Sequence, residues 1–209
     1  AEQRLRVLVL TDHFKDLAGS EIVALQTALW FAARGDFVTM AANVAGTPIA
    51  AHAAGVHVTT DISSIDLSTF DLVWCQHDML GLLPFSVWQA ASACGVFPHV
   101  ACVSLSPYEP YEHLDGLSAR ALSADLYANS PETADAVAAA NRGTIGRPEV
   151  RVFHNAAPEE FWSGATGSHS PDLKSILLVS NHPPPELDAC IALLQQRGID
   201  VRRIGVQHE

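Results

Sequence analysis

The residues that could do chemistry in this chain come in short polar clusters, each at the end of an aliphatic run. Asp12 and His13 follow residues 7–11, Gln76-His77-Asp78 follows residues 70–75, and residues 104–113 follow residues 99–103. Asn129-Ser130, His154-Asn155 and Asn181-His182 close three further runs. His77 is the first candidate for a reaction. An imidazole titrates near neutral pH and can pass a proton or hold a hydroxyl, and the Asp78 carboxylate stands beside it in sequence. His77 and Asp78 are therefore the candidate catalytic pair. A histidine packed at a strand end with a structural hydrogen bond is the competing reading.

Two other clusters suit binding rather than bond breaking. The stretch 12–20 ends in Gly19-Ser20 before a helical pattern and carries one cation, Lys15. Free amides at a helix start can face a phosphate or a sugar. Lys15, Gly19 and Ser20 are thus candidate ligand contacts, against the plainer reading of an ordinary strand-to-helix connection. A dinucleotide fingerprint is absent: the stretch has a single glycine and is too long for the tight turn of G-x-G-x-x-G. Residues 106–113, Ser-Pro-Tyr-Glu-Pro-Tyr-Glu-His, mix aromatic rings with carboxylates. Rings stack on sugar C–H faces and carboxylates accept from paired hydroxyls. Tyr108 and Glu109 are the candidates here, and a rigid acidic surface loop is the alternative.

Other chemistries lack their residues. The ten histidines form no H-E-x-x-H, no Cys/His zinc spacing accompanies them, and no D-x-D pair is present, so no metal site is expected. No G-x-S-x-G elbow is present for a nucleophilic serine.

The elements that must position these clusters alternate along the chain. Residues 5–11 read as a buried strand. Ser20, as N-cap, and Glu21 open a helix whose buried face is Ile22, Leu25, Leu29 and Ala33, and Gly35 ends it. Strands follow at 37–42, 56–59, 70–75, 99–104, 126–128 and 150–153, with helices at 49–54 and 83–93. Ser130-Pro131-Glu132 starts another helix, which runs to Asn141-Arg142-Gly143. The expected fold is α/β: a Rossmann-like, mostly parallel sheet with helices on both faces. In such sheets ligands bind at the carboxyl ends of the strands, where every polar cluster above falls.

The opening is also repeated. Val-Leu-Val-Leu-Thr-Asp-His at 7–13 returns in kind as Ile-Leu-Leu-Val-Ser-Asn-His at 176–182, and Arg34-Gly35 is echoed by Arg197-Gly198. Residues 163–171 read as a Gly/Ser-rich linker. The expected division is a first domain at 1–162, a linker at 163–172, and at 173–209 the first βαβ unit of an incomplete second domain: a strand at 175–180, a helix from Pro185 with Leu187, Ile191 and Leu194 inward, and a strand at 201–206. One βαβ unit cannot cover both faces of its sheet, so a longer natural chain is the simpler expectation.

Bulk composition limits the partners. Of 209 residues, 48% are hydrophobic and 17% charged, and the net charge is −11. No Lys or Arg occurs between Arg34 and Arg120. Such a surface repels nucleic acid and anionic lipid, and no apolar run has the length of a membrane span. Cys75, Cys94, Cys102 and Cys190 form no C-x-x-C pair and read as buried free thiols of a reducing, cytoplasmic compartment.

Three segments together resemble the GT-B glycosyltransferases, and within them the glycosyl transferase family 4 type. The first is residues 7–35, with Ala18-Gly19-Ser20-Glu21 where the family often has Gly-Gly-x-Glu. The second is Leu126-Tyr127-Ala128-Asn129-Ser130 before a helix. The third is residues 150–161, which resemble a strand, Asn-Gly-Val-Asp and a Phe, with Ala156 and Pro158 departing from it. The resemblance implies transfer of a sugar from a nucleotide-sugar to a hydroxyl acceptor between two Rossmann-like domains. It implies no cofactor beyond that co-substrate and no metal. It sets His77 near the reacting sugar and the Gly19 and Ser20 amides, with Lys15, Asn181 and His182, near the donor. Asp12, His13, Tyr108, Glu109 and Asn129 fall on the acceptor side, so that Asp12-His13 and Asn181-His182 are two lips of one cleft. The family's basic phosphate-binding pair lies farther along the second domain than residue 209, and donor binding is expected to need it. A nucleotide-sugar epimerase or hydrolase of the same architecture and a degenerate, non-catalytic binding module are the alternatives; Ala18, Ala156 and Pro158 favour the last.

Overall fold

Val7, Val9, Leu8 and Leu10 have no exposed surface at all, a state that four consecutive strand residues reach only when both faces of their sheet are covered. They belong to β1 (Arg6–Phe14). In chain order the next elements are α1 (Gly19–Ala33), β2 (Phe37–Ala45), α2 (Thr47–Ala50), β3 (His57–Thr59), two 3-10 turns (Ile62–Ser64 and Leu67–Thr69), β4 (Leu72–Gln76), α3 (Phe85–Cys94), β5 (His99–Ser104), β6 (Asp125–Ala128), α4 (Pro131–Ile145) and β7 (Val150–Val152). The computed structural model describes residues 3–16, 19–50, 52–76, 83, 85–95, 97–108, 125–145, 149–153, 174–179 and 186–204. The chain divides into two units, Ala1–Ala156 and Ala157–Glu209.

The first unit is a seven-stranded sheet in the order β3-β2-β1-β4-β5-β6-β7, parallel at every pairing. It is the expected α/β, Rossmann-like arrangement. Alternation along each strand builds two separate cores. Val7, Val9, Val38 and Met40 pack with Ala24, Leu25, Ala28 and Phe31 of α1. Leu8, Leu10, Val73, Cys75, Val100 and Cys102 pack with Val87 and Ala91 of α3 and Val137 of α4. The chain leaves β1 toward β2 on one side and reaches β4 on the other, so the strand order reverses between β1 and β4. That reversal is the topological switch point, where open parallel sheets bind ligands outside the carboxyl ends.

The second unit pairs β8 (Ser175–Val179) with β9 (Asp200–Ile204) in parallel through α5 (Glu186–Gln196). Ile191 is its buried helical residue, and Leu187 and Leu194 are half-buried. The repeated Arg-Gly has one structural meaning in both units. At φ 88°, Gly35 donates to Ala32 O at 2.9 Å and the Asp36 amide to Phe31 O at 3.2 Å. At φ 78°, Gly198 donates to Gln195 O at 2.9 Å and the Ile199 amide to Leu194 O at 3.1 Å. Each is a Schellman stop, which needs a left-handed residue that glycine supplies without strain.

Several boundaries differ from expectation. β1 continues to Phe14 because Thr11, His13 and Phe14 stay paired with Ala42, Val44 and Ala45 of a likewise longer β2; Asp12 and His13 are thus strand residues, not loop residues. α1 starts at Gly19, so Ser20 is inside the first turn rather than an N-cap, and its hydroxyl donates to Glu21 Oε2 at 2.9 Å. The buried stripe of α1 is Glu21, Ala24, Leu25, Ala28 and Phe31, not the one through Ile22, Leu29 and Ala33. α2 ends at Ala50, β4 starts at Leu72 and ends at Gln76, and α4 runs through Gly143 to Ile145. No cysteine is in a disulfide; Cys75 and Cys102 are buried as expected, but Cys94 and Cys190 are exposed, since each sits on the solvent side of its helix.

Candidate functional site

Burying a polar side chain costs free energy unless a partner replaces water, so the places where this fold does so are informative. Among the described residues the buried polar or charged ones are Thr11, Glu21, Asp36, Gln76, Ser104 and Thr133. Asp36 belongs to the amino end, where its Oδ1 accepts from the Leu5 amide at 2.9 Å. Its Oδ2 lies 3.4 Å from Arg34 Nε, close enough for an ion pair but not aligned for a hydrogen bond. All the others gather at the opposite edge. Thr11 is in the carboxyl half of β1, Gln76 ends β4 and Ser104 ends β5, while Glu21 and Thr133 lie in the first turns of the helices after β1 and β6.

On β1 the edge begins with Asp12 and His13. The Asp12 carboxylate accepts from Asn43 Nδ2 at 2.7 Å through Oδ1, and its Oδ2 stands 3.1 Å from His13 Nδ1. Asn43 fixes the carboxylate; the carboxylate orients the imidazole, which is 58% exposed. With Nδ1 beside the carboxylate, Nε2 is the ring nitrogen left for a hydroxyl. Asn43 is not among the residues expected from sequence; only its place in a strand register running past residue 42 signals it.

The next stretch is held by a glycine. The Gly46 amide donates to Phe14 O at 2.7 Å, and a Cβ at Gly46 would overlap the Lys15 carbonyl oxygen. Lys15 is thereby fixed in backbone position as the chain leaves β1. Gly19, the first residue of α1, has nothing within 4 Å of where a Cβ would sit. Its exposed backbone at the amino end of a 15-residue helix suits a ligand oxygen.

No protein-family model matches this chain, and no curated protein matches it. The geometry of the carboxyl edge alone therefore defines the site.

Across the switch point, Asn129 is committed locally. Its Nδ2 donates to Leu105 O at 2.6 Å and its Oδ1 accepts from Thr133 Oγ1 at 3.0 Å. It ties the exit of β5 to the first turn of α4, leaving one amide hydrogen for any ligand. Ser130 caps α4 as expected, accepting from the Thr133 amide at 3.2 Å. Hydrogen bonds from the Glu132 backbone amide and then the Ser130 hydroxyl hold the Glu132 carboxyl below the usual range. Tyr108 is 86% exposed, and its amide donates to Ser106 Oγ at 3.1 Å.

His77, Asp78, Glu109, Asn181, His182 and the expected linker lie outside the described residues. Among the described residues no group of three or more His, Cys, Asp or Glu is placed to hold a metal, and no helix is long and apolar enough to cross a membrane.

Proposed function

We propose that this chain supplies the acceptor-side domain of a sugar-transferring enzyme of the GT-B kind, which moves a sugar from a nucleotide-sugar to a hydroxyl acceptor. The observation that carries the reading is the gathering of buried polar side chains at the carboxyl edge of a 3-2-1-4-5-6-7 parallel sheet, around the strand-order reversal. The absence of Lys and Arg from 35–119 fits an edge that receives neutral hydroxyls. In this reading His13, oriented by Asp12, together with Tyr108, Glu109 and Asn129, faces the acceptor. His77 and Asp78 act on the reacting hydroxyl, and Lys15, Gly19 and Ser20 serve the donor. The nucleotide-sugar is a co-substrate, and neither metal nor further cofactor is invoked. Four cysteines, none in a disulfide, suit a cytoplasmic protein.

Amide-resolved NMR titration with nucleoside diphosphates, nucleotide-sugars and simple glycosides tests the proposal. Shifts should cluster at residues 11–13, 19–20, 76, 104 and 129. A panel that leaves this edge silent overturns the reading. Product analysis on a protein that also carries the family's basic phosphate-binding pair then separates transfer to an acceptor from release of free sugar, the outcome that an epimerase or hydrolase relative would give.

A further inference from the structure

β4 carries an unusual concentration of unanswered hydrogen-bonding capacity. Trp74 Nε1 and both Nε2 and Oε1 of Gln76 are buried without a hydrogen-bond partner. Gln76 has no exposed surface, and it is among the largest fully buried side chains of the fold. Native proteins satisfy nearly all such atoms, so each exception calls for a reason. These three atoms are not scattered. Trp74 and Gln76 are two residues apart on one strand and therefore share a face, the face that Trp74 and Leu72 turn toward the α1 core. The β1–β4 register pairs Leu10 with Cys75. One rung further sets Thr11, equally buried, beside Gln76 at the switch point, under the amino-terminal half of α1.

We propose that Trp74 and Gln76 form a concealed subsite for an uncharged, hydroxylated ring, a pyranoside hydroxyl pair being the chemistry that fits. The proposal rests on the sugar-transfer reading and names the residue that would read the sugar. A carboxamide offers an acceptor and two donors in one plane, and the indole adds a donor. Together they match hydroxyls, which both donate and accept, whereas a phosphate would leave Oε1 facing another acceptor. Aromatic surface continues the subsite. The Phe153 ring stands edge-on to Trp74 at 5.8 Å and the Tyr127 ring lies 6.4 Å from Phe153, giving apolar area for the C–H face of a ring. Because Gln76 has no exposed surface, a ligand reaches it only by displacing the side chains that cover it.

The test uses the whole chain and methyl glycosides of glucose, galactose, mannose and N-acetylglucosamine as probes. In the wild-type protein a binding glycoside should move the Trp74 indole and Gln76 carboxamide resonances, the indole assigned with Trp74→Phe. Gln76→Met removes the unanswered amide at nearly constant shape. It should weaken glycoside binding at least tenfold and raise the melting temperature by about 2–4 °C, since deleting a buried unpaired polar group is neutral to stabilising. Backbone shifts at the carboxyl edge without movement of these two side chains would overturn the subsite and leave the sugar-transfer reading standing. No response at that edge to any glycoside or nucleotide-sugar would overturn both. A lower melting temperature for Gln76→Met would show that the carboxamide has a structural duty, and would also overturn the subsite.

Discussion

Gly46 rests directly on the backbone of Lys15. Its amide bonds Phe14 O at 2.7 Å, and a side chain there would meet the Lys15 carbonyl and bring a Cβ within 2.9 Å of Lys15 Cα. The exits of β1 and β2 are thus packed as one surface. The position of the chain leaving β1 depends on that of the chain leaving β2.

Gly46→Ala tests that coupling. The obstacle is backbone, which cannot swing aside as the end of a long side chain can, so one of the two exits must shift. The expected loss is about 1–3 kcal/mol, as for other overpacked sites, measured by urea denaturation. Amide shifts should spread from residue 46 to residues 13–16 and reach Gly19. A variant as stable as wild type, with shifts confined to residues 45–47, would mean the exits move independently.

Gly19→Ala asks a different question of the same region. Open space surrounds the Gly19 Cβ position, and alanine is the better helix former by roughly 0.5–1 kcal/mol. The substitution should therefore leave stability unchanged or raised by up to about 1 kcal/mol. Under the proposed function, a methyl group where the donor approaches the backbone should weaken nucleotide-sugar binding in a protein that also carries the family's basic phosphate-binding pair, read by calorimetry. Unchanged affinity would remove Gly19 from the donor contacts.

Glycines mark both where the sequence is legible and where it stops being so. Gly35 and Gly198 are legible as helix stops because the signal is local: a glycine after an apolar stripe. β5 is legible in full, from His99 to Ser104, since a buried strand is a continuous apolar run. Gly46 is not, because its constraint comes from Lys15, 31 positions away in the chain. The buried stripe of α1 is misplaced by period for a related reason. Ala, Leu, Trp and Phe surround that helix, so period alone does not select a face, and Glu21 is buried despite its charge. Of the candidate site, the location is readable from strand ends. The Asp12–Asn43 bond and the unpaired amide of Gln76 depend on neighbouring strands and are not.

Asp12 and His13 give a kinetic prediction. If the oriented imidazole holds the acceptor hydroxyl, His13→Ala in a protein that also carries the family's basic phosphate-binding pair should raise the acceptor KM about tenfold, the worth of one ordinary hydrogen bond, with kcat nearly unchanged. Asn43→Ala frees the carboxylate that orients the ring and should produce a smaller change of the same kind. A fall in kcat with constant KM for His13→Ala would instead give His13 the proton-transfer duty assigned to His77.

The first turn of α4 supplies the pH dependence. Its own backbone amide and the Ser130 hydroxyl favour the charged form of Glu132, so the folded pKa lies below the unfolded one. A depressed carboxyl contributes stability that is present above the unfolded pKa and is lost as pH falls through the folded pKa. The amides of residues 132–135 should accordingly lose exchange protection on acidification below the ordinary glutamate range, without a matching change near neutrality. Ser130→Ala removes both the cap on the Thr133 amide and one cause of the shift. It should cost about 1 kcal/mol by denaturant titration and move the Glu132 midpoint, followed by carboxyl-carbon NMR, upward toward the ordinary value. Because Asn129 bonds both Leu105 O and Thr133 Oγ1, fraying of this turn should also be felt at the exit of β5. A Ser130→Ala protein with the Leu105 and Ser106 amides unmoved would show that the Asn129 latch holds without the cap.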